Sequence, residues 1–87
     1  MEAIQHEDKK QRLVEITVNG RTVRISGPMT TGLAIKQAAI AQGVNIQLDF
    51  VLSEEIGERR TKVIGDKDDV TVHPHSKFIA VAPDDNS

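Results

Sequence analysis

The stretch that decides the fold is Val14-Glu15-Ile16-Thr17-Val18-Asn19-Gly20-Arg21-Thr22-Val23-Arg24-Ile25. Apolar and polar residues alternate on both sides of its Asn-Gly pair, and this period of two places one apolar row on one face of each strand. Asn-Gly is typical of a type I′ turn, because both central residues of that turn need positive φ. The stretch therefore predicts an antiparallel hairpin with one buried face.

A helix is predicted soon after the hairpin. Ser26-Gly27-Pro28 ends the second strand, because proline has no N–H to donate to a sheet ladder. Thr30 or Thr31 is placed to cap a helix over residues 33–42, since a threonine oxygen accepts from a free N–H of the first turn. Gly43 follows, where a left-handed glycine commonly ends a helix. The helix is therefore bounded on both sides.

Three further strands are predicted downstream of the helix. In the first of them, Leu48, Phe50 and Leu52 share one face by alternation. The predicted elements are, in order, a strand over 44–53, a turn over 54–58, a short strand over 60–64, a loop over 65–69, an extended piece over 70–72 and a last strand over 77–82. Pro83 ends the last strand.

This order of elements predicts the fold class. A helix this short cannot bury its apolar stripe alone, and neither can one face of a sheet, so the helix is expected to lie across the sheet. We predict an α+β β-grasp fold, in which a mixed sheet of four to five strands carries one helix and the first and last strands form a parallel central pair. The predicted core is Val14, Ile16, Val18, Val23, Ile25, Ile35, Ala38, Ala39, Phe50 and Leu52, with Met29 filling the start of the helix.

Length and charge pattern predict the domain organisation. Residues 1–12 are charged without an apolar period and predict a disordered leader, residues 13–82 form the domain, and residues 83–87 form a flexible tail. No apolar run approaches the roughly 20 residues that a membrane span needs, and the first eight residues lack the features of a signal peptide. We therefore expect a cytoplasmic protein without a membrane partner.

Composition excludes several classes of function. The chain has no cysteine, which excludes disulfides, thiolate zinc sites and a catalytic thiol. It has 11 basic and 13 acidic residues of mixed order, with Phe50 and Phe78 as its only aromatics. Nucleic-acid binders usually combine a basic stripe with stacking aromatics, so we expect no nucleic-acid partner. A domain this small usually carries a binding surface in place of a deep pocket.

Two clusters have residue types that hold metals. His73-Pro74-His75 offers two imidazoles, but a zinc site needs three or four ligands and no third is evident, so we interpret the segment as a solvated loop. Asp66, Asp68 and Asp69 follow a glycine but lack the length, ligand spacing and closing glutamate of a calcium loop. We interpret them as a charged turn.

Candidate nucleophiles also lack a catalytic setting. Ser87, Thr30 and Thr31 have hydroxyl groups, but no triad spacing or nucleophile-elbow motif surrounds them or the three histidines. We therefore predict that the chain is not an enzyme and holds no cofactor of its own.

Two segments resemble the prokaryotic multiubiquitin-type domain. The first is Val14-Glu15-Ile16-Thr17-Val18-Asn19-Gly20-Arg21 followed by Met29-Thr30-Thr31-Gly32-Leu33-Ala34-Ile35, which is similar to the strand, glycine turn and threonine-glycine helix start that open those domains. The second is Asp69-Val70-Thr71-Val72 with Lys77-Phe78-Ile79-Ala80-Val81, which is similar to their closing segment. The resemblance spans about residues 14–83 and implies a ubiquitin-like β-grasp domain.

The resemblance also implies a function. It is that of a bacterial ubiquitin-like modifier, encoded beside an adenylating activating enzyme, a conjugating enzyme and a processing peptidase, and used in defence against phage. In such a pathway the modifier's C-terminal carboxylate is activated and passed to target proteins. The catalytic groups, ATP and magnesium belong to the partner enzyme.

The last residues depart from the ubiquitin pattern. Ubiquitin-type and sulfur-carrier proteins end in paired glycines, whereas Asp84, Asp85, Asn86 and Ser87 follow Ala82-Pro83 here. These four residues are the candidate segment for activation or processing, used by enzymes with a wider channel or trimmed by a peptidase. Alternatively, the chain is a non-covalent interaction module that is never conjugated. A sulfur carrier is a second alternative, which the missing glycines disfavour.

Val51 is a candidate for partner binding. It lies on the side of the third predicted strand opposite Leu48, Phe50 and Leu52, and ubiquitin-like folds bind partners on the exposed sheet face. A single exposed valine is normal, so a patch requires Ile79 or Phe78 on the last strand to point outward too. The register of that strand is ambiguous, because residues 78–81 are all apolar.

Overall fold

The computed structural model describes residues 11–83 and contains one helix and seven strands. The elements are β1 (Arg12–Val18), β2 (Arg21–Gly27), β3 (Met29–Thr31), α1 (Gly32–Ala41), β4 (Val51–Gly57), β5 (Arg60–Ile64), β6 (Asp69–Thr71) and β7 (Lys77–Val81). Five strands form one sheet in the order β2-β1-β7-β4-β5, and β3 pairs with β6 in a second, two-stranded sheet. β1 and β7 are parallel and the other neighbours antiparallel, which confirms the predicted β-grasp fold.

The hairpin forms as predicted. Val18 pairs with Arg21, so Asn19 and Gly20 alone make the turn, with φ of 53° and 79° respectively. The Asn19 side chain has a second role, because its Nδ2 donates to the Ala80 carbonyl at 3.0 Å and its Oδ1 accepts from the Ala80 N–H at 2.8 Å. The turn therefore also fixes the end of β7.

The ends of α1 match their sequence signals. Thr31, and not Thr30, is the N-cap, and its Oγ1 accepts from the Ala34 N–H at 3.2 Å. Gly43 has a φ of 95° just beyond the last turn, in the left-handed region that glycine tolerates. Ile35 and Ala39 are fully buried against the sheet, so the predicted apolar stripe faces the core.

The predicted third strand is displaced along the chain. Residues 44–50 form an irregular segment, and β4 begins only at Val51 and continues through residues 54–57, which we predicted as a turn. The turn is Glu58-Arg59, because Gly57 pairs with Arg60. Of the three alternating residues on which the prediction rested, only Leu52 is fully buried, whereas Phe50 is partly buried and Leu48 is 47% exposed.

The start of the helix differs from the prediction as well. Met29 is exposed and does not fill that position, because β3 pairs it with Thr71 at the surface. Gly32 makes the close contact at the start of the helix instead, since a Cβ on this residue would collide with the Gly65 carbonyl. The predicted extended piece over 70–72 contributes the partner strand β6.

The core contains most of the predicted residues and several others. Ala38 and Phe50 are only partly buried at its edge, and the large central aromatic is Phe78. The other buried apolar residues that we did not predict are Val44, Ile46, Ile64, Val70, Val72 and Ala80. Phe78 faces inward because β7 pairs it with Val18, and this register places Ala80 inward and Ile79 outward.

Lys36 is a buried cation that the sequence did not reveal. Lys36 is only 4% exposed. Its Nζ donates to the Leu48 carbonyl at 2.6 Å and to the Phe50 carbonyl at 2.9 Å, and it lies 2.7 Å from Asp66 Oδ1. These three acceptors use all three ammonium donors. Lys36 thereby ties the helix to the 44–50 segment and to the loop before β6, and this holds residues 48–50 out of the sheet.

Gly20→Val is predicted to destabilise the domain because of its backbone conformation alone. A Cβ on Gly20 meets no atom within 4 Å among the described residues, so the cost comes from positive φ, about 1–2 kcal/mol for a branched residue. Gly20→Asn is the matched control and should cost much less, because asparagine tolerates this region. Urea denaturation measures both, and equal losses for the two variants would contradict the assigned turn.

Lys36→Met is predicted to lower the free energy of unfolding by about 1–3 kcal/mol, because two backbone carbonyls lose their donor. Asp66→Asn should cost less than about 1 kcal/mol, since the Asp66 side chain is half-exposed and water can solvate it. Urea denaturation of both variants, with unchanged m-values, provides the comparison. A larger loss for Asp66→Asn would mean that the ion pair, and not the carbonyl bonds, holds the segment.

Candidate functional site

The face of the sheet opposite the helix carries an apolar patch. On this face Val51 lies beside Val81, and Ser53 lies between Ile79 and Val63. We call Val51, Val63, Ile79 and Val81 the outer-face patch. Neighbouring side chains on one sheet face approach within about 5 Å, so these four residues lie in two adjoining rows.

Most of the outer-face patch is accessible. Val63 is 64% exposed, Val81 is 52% exposed and Val51 is 39% exposed, while Ile79 is half-buried between them. Phe78 faces the core, so Ile79 is the residue of the last strand that joins Val51 on this face. These four branched residues surround Ser53, which separates Val63 from Ile79, and together they form a larger apolar surface than the single exposed valine that needs no explanation.

Two arginines at the β4–β5 turn lie near one end of the outer-face patch. A shallow groove of about 290 Å³ runs from Ile79 to Arg59 and Arg60 at the β4–β5 turn. Arg59 has a φ of 63°, a conformation uncommon for a residue with a long side chain. Within residues 11–83, neither arginine has a carboxylate oxygen within 4 Å, so both guanidinium groups are available to an acidic partner.

The sequence indicated only part of this surface. Val51 faces solvent on the side that its alternation predicted, although the strand that carries it begins later than expected. Val63 and Val81 were not singled out, because their place beside Val51 depends on the pairing of β4 with β5 and β7. The strong β-propensity of valine was the one feature of the sequence that could have drawn attention to Val63.

The predicted activation segment begins where the described chain ends. β7 ends at Val81, and Ala82 and Pro83 are exposed beyond it. Asp84, Asp85, Asn86 and Ser87 lie outside the described residues, so their role stays a prediction. Because β7 runs parallel to β1 and its Ala80 carbonyl bonds the Asn19 side chain, the chain leaves the domain beside the Asn19-Gly20 turn.

Three of the candidate metal residues, Asp66, Asp68 and His75, have structural contacts. Asp66 pairs with Lys36, and Asp68 Oδ2 accepts from the Gly65 N–H at 2.8 Å to close the loop before β6. The His75 N–H donates to the Glu15 carbonyl at 2.8 Å. The described part of the chain contains no cluster of three histidine or acidic side chains placed to hold a metal, and none of its helices is long and apolar enough to cross a membrane.

Comparison with known proteins identifies the family. No curated protein and no solved structure matches the chain significantly. The family model described as Multiubiquitin matches residues 14–84, a range that begins in β1 and includes every later element of the fold. The chain therefore belongs to the Multiubiquitin family of ubiquitin-like domains.

Proposed function

We propose that this domain is a bacterial protein modifier, whose C-terminal segment is activated by a separate adenylating enzyme and joined to target proteins. The observation that carries the proposal is the course of β7, which ends at Val81 in the middle of the sheet and continues into exposed Ala82 and Pro83. An exposed strand exit of this kind is accessible to another protein. Membership of a ubiquitin-like family supports the same role.

The chemistry of the proposal places every catalytic group in the partner. The terminal carboxylate attacks the α-phosphorus of ATP and releases pyrophosphate, which leaves an acyl adenylate. A nucleophile of the conjugating enzyme or of the target then displaces AMP and forms the new acyl bond. ATP and magnesium are held by the adenylating enzyme, and this domain supplies the electrophile.

The acidic residues of the segment set a requirement on that enzyme. Asp84 and Asp85 must pass close to the nucleotide's phosphates, so basic groups have to line the route. Such recognition weakens as ionic strength rises, because salt screens exposed charges. A processing peptidase offers another route, in which trimming exposes a different terminal residue. The family resemblance further supports a cytoplasmic pathway that acts in defence against phage.

Removal of residues 84–87 is predicted to abolish activation and leave the fold intact. The full-length chain, a chain ending at Pro83 and the double variant Asp84→Lys with Asp85→Lys are each incubated with the adenylating enzyme and ATP, and adenylate is measured by pyrophosphate release. We expect no product from the truncated chain and a weakened, less salt-sensitive reaction from the charge-reversed one. Equal activation of the truncated chain would remove the segment from the mechanism. A terminal thiocarboxylate in the mass spectrum would instead indicate a sulfur carrier.

A second candidate function, non-covalent recognition, is favoured by the outer-face patch. Ile79 of the patch lines one groove with Arg59 and Arg60, neither of which has a carboxylate oxygen within 4 Å among residues 11–83. Protein interfaces commonly combine an apolar centre with a charged rim in this way. We infer that a partner with an apolar centre and flanking carboxylates binds here. This function requires no chemistry at the terminal residues.

Charged residues placed within the outer-face patch are predicted to weaken this binding and to leave the free energy of unfolding of the domain unchanged. Val63→Asp with Val81→Asp buries two carboxylates against an apolar partner surface, which should weaken binding by about 30-fold or more. The matched control is Leu48→Asp, an exposed apolar residue that lies outside the sheet.

The measurement is binding to the purified adenylating enzyme without ATP, by biolayer interferometry, alongside the chain ending at Pro83. Patch recognition predicts loss in the double variant and no change in the other two chains. If the truncated chain alone loses binding, the terminal segment, and not the patch, makes the contact.

A further inference from the structure

The Asn19 side chain holds the end of β7 on the side that faces β1. Backbone pairing of the two strands ends at Val18 and Phe78, and the Asn19 N–H then donates to the Phe78 carbonyl at 3.0 Å. Beyond this point the backbone turns away, and the Asn19 carboxamide continues the ladder. Its Nδ2 donates to the Ala80 carbonyl at 3.0 Å and its Oδ1 accepts from the Ala80 N–H at 2.8 Å. We call these two bonds the β7 clamp.

The β7 clamp takes the place of backbone pairing. Residues two apart on a strand direct their backbone groups to the same side, so Ala80 faces β1 as Phe78 does, while Val81 faces β4. No backbone group of residues 11–83 pairs with Ala80 from the β1 side. On that side, one exposed asparagine side chain therefore holds the last turnless residues of the strand before the chain leaves the sheet.

Asn19 also precedes a glycine, and this sequence makes the side chain chemically labile. The Gly20 nitrogen can attack Asn19 Cγ, since no side chain on Gly20 obstructs it. A bond forms between this nitrogen and Cγ, the Cγ–Nδ2 bond breaks, and ammonia leaves with the proton that the Gly20 nitrogen gives up. Water then opens the resulting succinimide at either carbonyl, which yields aspartate or isoaspartate. Asparagine is accordingly one of the thermolabile residues.

The surroundings of the turn permit the reaction but the β7 clamp opposes it. Both turn residues are exposed, so water reaches them, and among residues 11–83 the Gly20 N–H has no hydrogen-bond acceptor. The carboxamide, however, is held at Ala80 by both its oxygen and its nitrogen. Turning Cγ toward the Gly20 nitrogen breaks both bonds, so the attack requires that the end of β7 open first.

We propose that Asn19 is a deamidation site that the β7 clamp protects, and that the reaction, once it has occurred, releases the end of β7. In the aspartyl product a carboxylate oxygen faces the Ala80 carbonyl where Nδ2 donated before, so two acceptors meet without a proton between them. In the isoaspartyl product the main chain gains a methylene group, and the two-residue turn loses its register. Neither product offers a donor to the Ala80 carbonyl.

The loss of ammonia makes the change permanent, so the turn records each opening that led to reaction. Ala82 and Pro83 follow the released strand end. An effect of deamidation on activation by the adenylating enzyme rests on the proposed function. The reaction itself and the release of β7 do not, because both are measured on this chain alone.

The first test compares deamidation in the folded full chain with that in a blocked peptide of residues 16–23, which has no β7 to bond. Both are kept at mildly alkaline pH, and the products are measured by mass spectrometry. We expect the folded chain to react roughly 30-fold more slowly or less, the factor that two hydrogen bonds supply. As urea is added below the unfolding transition, the deamidation rate and the Ala80 amide exchange rate should rise together, because both require the same local opening.

The second test measures amide exchange after the β7 clamp is lost. Asn19→Gly removes the carboxamide and still fits the turn, because glycine tolerates the positive φ of this position. Exchange at Ala80 should become about tenfold faster or more, with exchange at Val23 in the hairpin unchanged. Asn45→Gly, at an exposed asparagine of the irregular segment, is the matched control and should leave Ala80 unchanged. The isoaspartyl chain, purified by ion exchange through its added negative charge, should exchange at Ala80 as Asn19→Gly does.

Four results would overturn the proposal. A stable peptide would show that Asn19 is not reactive, and equal rates in the peptide and the folded chain would show that the β7 clamp gives no protection. A deamidation rate that stays constant while Ala80 exchange rises would place the controlling step elsewhere. Unchanged Ala80 exchange in the isoaspartyl chain would show that the reaction leaves the end of β7 in place, whatever the behaviour of Asn19→Gly.

Discussion

The parallel pairing of β1 with β7 is the constraint on which the rest of the structure depends. It joins the first strand to the last, and its register places Val18 beside Phe78 with both side chains in the core. The Asn19 side chain fixes the same register through two bonds to Ala80. Because strand faces alternate, Ile79 and Val81 must then point outward, which places both beside β4 in the outer-face patch.

Local signals in the sequence predicted some elements closely. The Asn19-Gly20 turn, the Thr31 cap and Gly43 each depend on one or two residues with a strong conformational preference, so their chemistry alone sufficed. β5 was also correct, since its ends are set by the turn and by Gly65. The Multiubiquitin resemblance rested on residues 14–21, 29–35, 69–72 and 77–81, and the match to residues 14–84 confirms it.

The other elements depend on contacts between distant residues. Val44 and Ile46 alternate as a strand would, but Lys36 takes the Leu48 and Phe50 carbonyls and so keeps this segment irregular. The pairing of β3 with β6 joins strands of three residues each, too short to show a period. The outer-face patch could be predicted only at Val51, because its other members meet it through strand register.

The two ends of β7 determine what the domain presents to other proteins. Its end at Val81 releases the exposed Ala82-Pro83 beyond the sheet. Its start is delayed because Pro74 cannot donate to a ladder and His75 has a φ of 74°, which turns the chain toward Lys77. A strand begun four residues earlier, at His73, would have paired with Leu13 and covered the first half of β1. The length of one central strand therefore sets both the exit of the chain and the uncovered backbone of β1.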